Sequence, residues 1–152
     1  MSEENRRFPL SLSQQNIWAL EQRYSGTSID VISATIRISG RVDFAMLAKA
    51  LNLIIQADSS LRTRLVRCGG EIMQEYAPYS EEHFPVLDFS LTDPDGFAYW
   101  ETAMTREPMR LFDGPLCCFY PFRTGEAAGG VLVKSHHIIF DGWSQVLLCN
   151  RI

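Results

Sequence analysis

Two apolar runs, residues 116–122 and 131–139, are separated by a stretch that contains Gly125-Glu126-Ala127-Ala128-Gly129-Gly130. Each is strand-length and far short of the ~20 residues a membrane helix needs. A glycine-bearing gap between two such runs predicts a hairpin with a loose loop. A second hairpin is predicted where residues 63–67 and 71–76 flank Gly69-Gly70, because both central residues of such a turn take positive φ. In residues 32–39, Ile32, Ala34, Ile36 and Ile38 alternate with Ser33, Thr35, Arg37 and Ser39, the pattern of a strand with one buried face. Residues 84–89 read as a further short strand.

Helices fall between these strands. Ser11 or Ser13 caps the first, with Ile17, Leu20 and Tyr24 on one face, Trp18 beside them and Gly26 as the stop. Asp43 caps the second, in which Leu47, Leu51, Ile54 and Ile55 follow amphipathic spacing until Asp58-Ser59-Ser60. Asp93-Pro94 resembles an N-cap followed by proline, which predicts a helix over residues 95–107. A last helix starts at Trp143, and Val146, Leu147, Leu148 and Ile152 make it read as unfinished at the terminus. The order helix, strand, helix, two or three strands, helix, two strands, helix predicts an α+β, mixed α/β sandwich with a largely antiparallel sheet and flanking helices.

Composition narrows the function classes. The 152 residues, 46% apolar and 21% charged, suit one domain with a real core. A net charge of −4, from 14 basic and 18 acidic residues, argues against nucleic acid as the main partner. Arg6-Arg7 and Arg62 with Arg64 are too few for a phosphate-binding patch. No apolar run is long enough for a membrane span and the polar start carries no secretory pattern, so a cytoplasmic location is expected. Cys68, Cys117, Cys118 and Cys149 show no metal or redox spacing and read as free thiols. Trp18 and Trp100 read as packing residues and His83 as a solvated one.

The stretch with chemical content is Ser135-His136-His137-Ile138-Ile139-Phe140-Asp141-Gly142-Trp143-Ser144. Imidazole titrates near neutral pH and so takes and returns protons. On a strand His136 and His137 face opposite ways, so one faces a site while the other faces packing. Asp141 either orients the imidazole or pairs with a cation, and the Gly142 N–H is free to meet a substrate oxygen. A zinc site would need a third or fourth ligand, and His83 is the only other histidine. No metal is expected.

This stretch resembles the His-His-x-x-x-Asp-Gly signature of condensation domains in nonribosomal peptide synthetases, with Trp143 and Ser144 extending the match. Residues 10–20 resemble that family's first motif through Ser11, Gln14, Trp18 and Leu20; Leu61-Arg62-Thr63-Arg64-Leu65 resembles the core of its second. Arg110-Leu111-Phe112-Asp113-Gly114-Pro115-Leu116 resembles the segment before the signature strand. Asn16 stands where the first motif has Arg, and Ala57, Asp58 and Ser59 stand where the second has Arg-His-Glu. The paired histidines separate the chain from cyclization domains, and the Asp141-Gly142-Trp143-Ser144 ending resembles condensation more than epimerization.

The resemblance implies one lobe, the N-terminal one over residues 1–152, of a chloramphenicol acetyltransferase-like fold. It implies a tunnel between two lobes, in which an acceptor aminoacyl thioester attacks a donor acyl or peptidyl thioester to form an amide. Both substrates are expected on the phosphopantetheine arms of peptidyl or aryl carrier proteins, with no tightly bound cofactor. The resemblance makes His137 the key residue, accepting the ammonium proton or positioning the amine. Gly142 N–H assists at the oxyanion, while His136, Trp143 and Ser144 support. Asp141 is expected to be tied to an arginine, for which Arg62 is the candidate. The missing second lobe implies an isolated chain that makes no amide. Two other classes stay open: a freestanding acyltransferase with an intersubunit site and coenzyme A as a candidate acyl carrier, and a non-catalytic module that docks carrier proteins.

Overall fold

The computed structural model describes residues 7–92, 95–112 and 114–152. In chain order it runs β1 (Phe8–Pro9), α1 (Leu12–Arg23), β2 (Val31–Ser39), α2 (Phe44–Ala57), a 3-10 turn (Ser59–Arg62), β3 (Thr63–Cys68), β4 (Glu71–Tyr76), β5 (Leu87–Asp88), α3 (Gly96–Arg106), β6 (Cys117–Gly125), β7 (Ala128–His136) and α4 (Gly142–Cys149). A three-stranded sheet has the order β1-β4-β3 and a four-stranded sheet the order β2-β7-β6-β5. All pairings are antiparallel except β5 with β6. The expected α+β, largely antiparallel architecture is present.

Local chemistry sets most boundaries. Ser11 and Gln14 form a reciprocal capping box at α1, and the Asp43 carboxylate accepts the Ala45 and Met46 N–H groups at α2. Each such bond satisfies a donor that the helix start leaves unpaired. Gly69 and Gly70 take φ of 58° and 89°, so the turn from β3 to β4 has both central residues in the left-handed region. The Asp93-Pro94 start lies outside the described residues; the helix itself begins at Gly96, with Asp95 at the cap position making no side-chain cap bond.

Strand β7 organises the larger sheet. It lies between β2 and β6, and every residue from Gly129 to His136 is buried. Val131 and Val133 on one face join Phe119, Leu47, Leu51 and Ile55, the buried stripe of α2. On the other side Phe122 meets Phe97 of α3 with ring centroids 4.5 Å apart. Burial on both faces explains the nearly continuous apolar run, since neither face is left to water. Lys134, 2% exposed, is neutralised by Glu107 at 2.9 Å.

Several expectations need correction. The loop expected to be loose between the runs 116–122 and 131–139 is tight, because β6 and β7 extend to Gly125 and Ala128. Gly129 and Gly130 are strand residues: a Cβ on Gly130 would strike the Ile36 carbonyl oxygen, and one on Gly129 would lie 2.7 Å from the Phe122 carbonyl oxygen. Glycine there marks close backbone approach, not a turn. The apolar face expected on α1 is buried only in part: Ile17 and Trp18 pack against a second apolar cluster of Leu10, Leu65, Leu111, Leu116 and Ile138, whereas Leu20 and Tyr24 are exposed and Glu21 is buried. The strand expected over residues 84–89 is reduced to Leu87–Asp88. Helix α4 spans Gly142–Cys149, and the Asn150 N–H donates to the Val146 carbonyl.

Candidate active site

The ladder between β2 and β7 ends at the pair Val31 and His136. One step further, the His137 N–H donates to the Asp30 carbonyl at 2.7 Å, so the cross-strand hold outlasts the strand. The chain then tightens: Ile139 N–H meets the His136 carbonyl at 3.1 Å and Phe140 N–H the His137 carbonyl at 3.4 Å. Asp141 opens α4, its carboxylate accepting the Ser144 N–H and hydroxyl, each at 2.7 Å. Only His136 belongs to the strand, and His137 starts the turn; the expectation of both on one strand is corrected. Their division of labour is nonetheless clear, with His136 1% exposed and His137 open to solvent.

His136 is held neutral. The Ile138 N–H donates to its Nδ1 at 3.1 Å, so the ring hydrogen sits on Nε2, which lies 3.7 Å from Glu21 Oε2. Burial, and secondarily the charge of His137, pushes its pKa down to about 4. Glu21, Asp30 and His136 each present a ligand atom within 4.8 Å of the others. A divalent ion on Nε2 would need that nitrogen bare and Nδ1 protonated, whereas Nδ1 already accepts the Ile138 N–H, so the set does not fit a metal. Burial raises the pKa of both carboxyls, with Asp30 adding to the effect at Glu21. The Asp30 Oδ2 atom is buried and has no hydrogen-bond partner among the described residues.

The sign of the pH effect follows. An ordinary unfolded histidine takes its proton near pH 6.5, so between there and about 4 the unfolded chain binds more protons at this site than the folded one. The His136 contribution to stability is therefore full above 6.5 and lost as the pH falls toward 4. Glu21 and Asp30, raised, act in the opposite sense, and their contributions are lost as pH rises through their folded values. Imidazole NMR is expected to show His136 as the Nε2–H tautomer, without titration between about pH 5 and 8. A midpoint near 6.5 would contradict the buried, neutral assignment.

His137, Asp141 and Ser144 share an open groove of about 540 Å³ with Ser11, Ser13, Gln14 and Ile17. Gln14 joins the two walls: its Nε2 donates to the Ile138 carbonyl at 3.1 Å and to Gln74 Oε1 at 2.8 Å, while its Oε1 accepts the Ser11 N–H. The Asp141 carboxyl is held below the usual range by the Ser144 hydrogen bonds first and by His137 as a lesser influence. Gly142 and Trp143 are exposed in the first turn of α4, where the Gly142 N–H has no partner within the helix. A larger cavity of about 760 Å³ lies along α1, lined by Trp18, Glu21, Arg67, Arg110 and Phe112. It does not contain His137, so size alone does not locate the chemistry.

Over residues 4–152 the chain matches the family model of the condensation domain. It belongs to the condensation-domain family. It is 30% identical over 152 residues to a component of the linear gramicidin synthase of Brevibacillus parabrevis, covering 97% of this chain and 2% of that protein. It is 31% identical over 147 residues to phosphinothricin tripeptide synthetase PhsC of Streptomyces viridochromogenes, covering 92% and 13%. Among solved structures, the starter condensation domain of rhizomide synthetase RzmA superposes with a TM-score of 0.87 at 27% identity, over 97% of this chain and 36% of that one. The first condensation domain of the CDA synthetase shares the fold, with a TM-score of 0.83 at 23% identity. The chain thus spans little more than a third of those solved chains, 36% and 39%.

Within this condensation-domain chain the expected partnership of Arg62 with Asp141 is not formed. Arg62 donates to the Ile55 and Gln56 carbonyls at the end of α2 (2.7 and 3.0 Å) and to the Ala77 carbonyl (3.0 Å). Its cation sits where the last carbonyls of a helix concentrate negative charge, and it ties α2 to the exit of β4. Asp141 is committed to Ser144. Asp58, at a position that departs from the second motif, caps the 3-10 turn and meets Arg151 at 3.4 Å. Sequence reading missed Glu21 and Asp30, which come from α1 and from the residue before β2. Gln14 is already singled out through the first motif, and the structure adds its place in the α1 capping box. The cysteines are free, and burial raises the Cys117 and Cys118 thiols, which suits inert packing.

Proposed function

We propose that residues 1–152 form the N-terminal lobe of a nonribosomal peptide synthetase condensation domain and that His137 is its base. The observation that carries this is the division between the paired histidines: His136 is buried and neutral, while His137 stands exposed on the groove with Asp141, its backbone held by Asp30. The acceptor amine attacks the donor thioester carbon and a C–N bond forms. The proton lost by nitrogen passes to the His137 imidazole, the C–S bond breaks, and the departing thiolate takes that proton. One amide and one thiol result. The Gly142 N–H, at the start of α4, faces the carbonyl oxygen as it gains charge.

Both thioesters are carried on phosphopantetheine arms of peptidyl or aryl carrier domains, and the reaction belongs in the cytoplasm. A solved neighbour, a mutant of the starter condensation domain of rhizomide synthetase, was obtained in complex with C8-CoA; coenzyme A ends in the same phosphopantetheine arm. The groove is open on one side, which fits a second lobe closing it. A carrier-to-carrier condensation assay tests the reading. The 152-residue chain alone is expected to form no amide, and a condensation domain that carries it as its first lobe is expected to turn over. Robust turnover by the chain alone would overturn the lobe assignment.

A further inference from the structure

We propose that Asp30 is a positioning residue for His137: its backbone carbonyl fixes where the residue stands, and its buried carboxylate, with one oxygen left unpaired, stabilises the positive charge that the imidazole gains in the reaction. The inference rests on the reading of His137 as the base.

Three observations carry it. The Asp30 carbonyl accepts the His137 N–H at 2.7 Å, immediately beyond the last ladder pair. Asp30 is 4% exposed, and its Oδ2 has no partner among the described residues. Its carboxyl also feels the His137 charge, which opposes the effect of burial. The other titratable groups facing it offer no compensation. His136 is neutral, with its ring hydrogen toward Glu21, and Glu21 is itself an acid. Among the described residues no lysine or arginine pairs with Asp30. A buried carboxylate with an unpaired oxygen lowers the stability of the resting fold. Such a group persists where a transient cation completes it, and here His137 supplies that cation when it holds the amine proton.

The test uses a condensation domain carrying residues 1–152 as its first lobe. It is assayed with whichever aminoacyl-phosphopantetheine carrier pair, from a panel, the parent joins fastest. Asp30→Asn keeps the shape and the backbone carbonyl and removes the charge. It is expected to lower kcat about 10- to 100-fold with KM within about twofold, the size of a close pairwise coupling. The melting temperature should stay level or rise, because a buried unpaired charge is gone. In a His137→Ala background the same change should cost no further turnover. Asp30→Ser, smaller and uncharged, serves if Asp30→Asn does not fold. Parental kcat in the folded variant overturns the proposal, as does a joint fall in kcat, affinity and melting temperature, or an equal loss in the His137→Ala background. Full activity of His137→Ala instead removes the reading beneath it.

Discussion

Replacing His137 with alanine is expected to lower turnover about 10²- to 10⁴-fold, the span measured for positioned acid–base side chains. Folding should hardly notice. The side chain is exposed, and the backbone bond from His137 N–H to Asp30 survives the substitution. A change within about 0.5 kcal/mol is the expectation for such a surface position. The contrast is His136→Ala, which empties a buried site that is 1% exposed and breaks the contact to the Ile138 N–H. That variant loses activity by losing structure. The pair of measurements, turnover and denaturant midpoint on both variants, separates a chemical histidine from a structural one. Turnover of His137→Ala within a few-fold of the parent would end the assignment of a base at this position.

Gly130→Ala is expected to produce the largest stability loss, at or beyond about 4–5 kcal/mol, enough to leave a marginally stable domain unfolded. The added methyl would meet the Ile36 carbonyl oxygen, and Phe122 Cζ lies 3.0 Å away on another side. Backbone oxygen cannot step aside as a flexible side chain can, and Gly130 sits in the centre of the sheet, paired with Arg37 and Phe122. Gly114→Ala is the control: among the described residues a Cβ there has nothing within 4 Å, and its loss should be small. Soluble, cooperatively folding Gly130→Ala with a parental midpoint would show that the sheet relaxes more easily than its packing implies.

Where a feature depends on neighbours in sequence, its residues announce it. Ser11, Asp43 and Asp141 cap helices through bonds made within three residues, and Gly69-Gly70 dictates its own turn. The spacing of Leu47, Leu51 and Ile55 likewise contains the buried face of α2. Legibility fails where distant segments meet. Glu21 and Asp30 lie more than a hundred residues from His136 in sequence yet form one buried polar cluster with it. The same cause explains Gly129-Gly130: glycine signals a turn locally, and only the approach of β2 and β6 shows that it serves packing. Family resemblance points Arg62 toward Asp141, but three backbone carbonyls closer to hand already match its fork of donors. On α1, local periodicity singles out Leu20, whereas Glu21, beside His136 at the end of β7, is the residue buried.

Gln14 carries a consequence for recombination among synthetases. One side-chain amide closes the α1 cap at Ser11, exchanges hydrogen bonds with Gln74 of β4, and holds the Ile138 carbonyl one residue past His137. The first motif, the smaller sheet and the signature turn are thus joined through a single polar hub. A chimera spliced between Gln14 and Gln74 takes these two amides from different parents. Whether Gln14 and Gln74 still match at the junction decides whether the signature turn arrives in the hybrid with its support or without it.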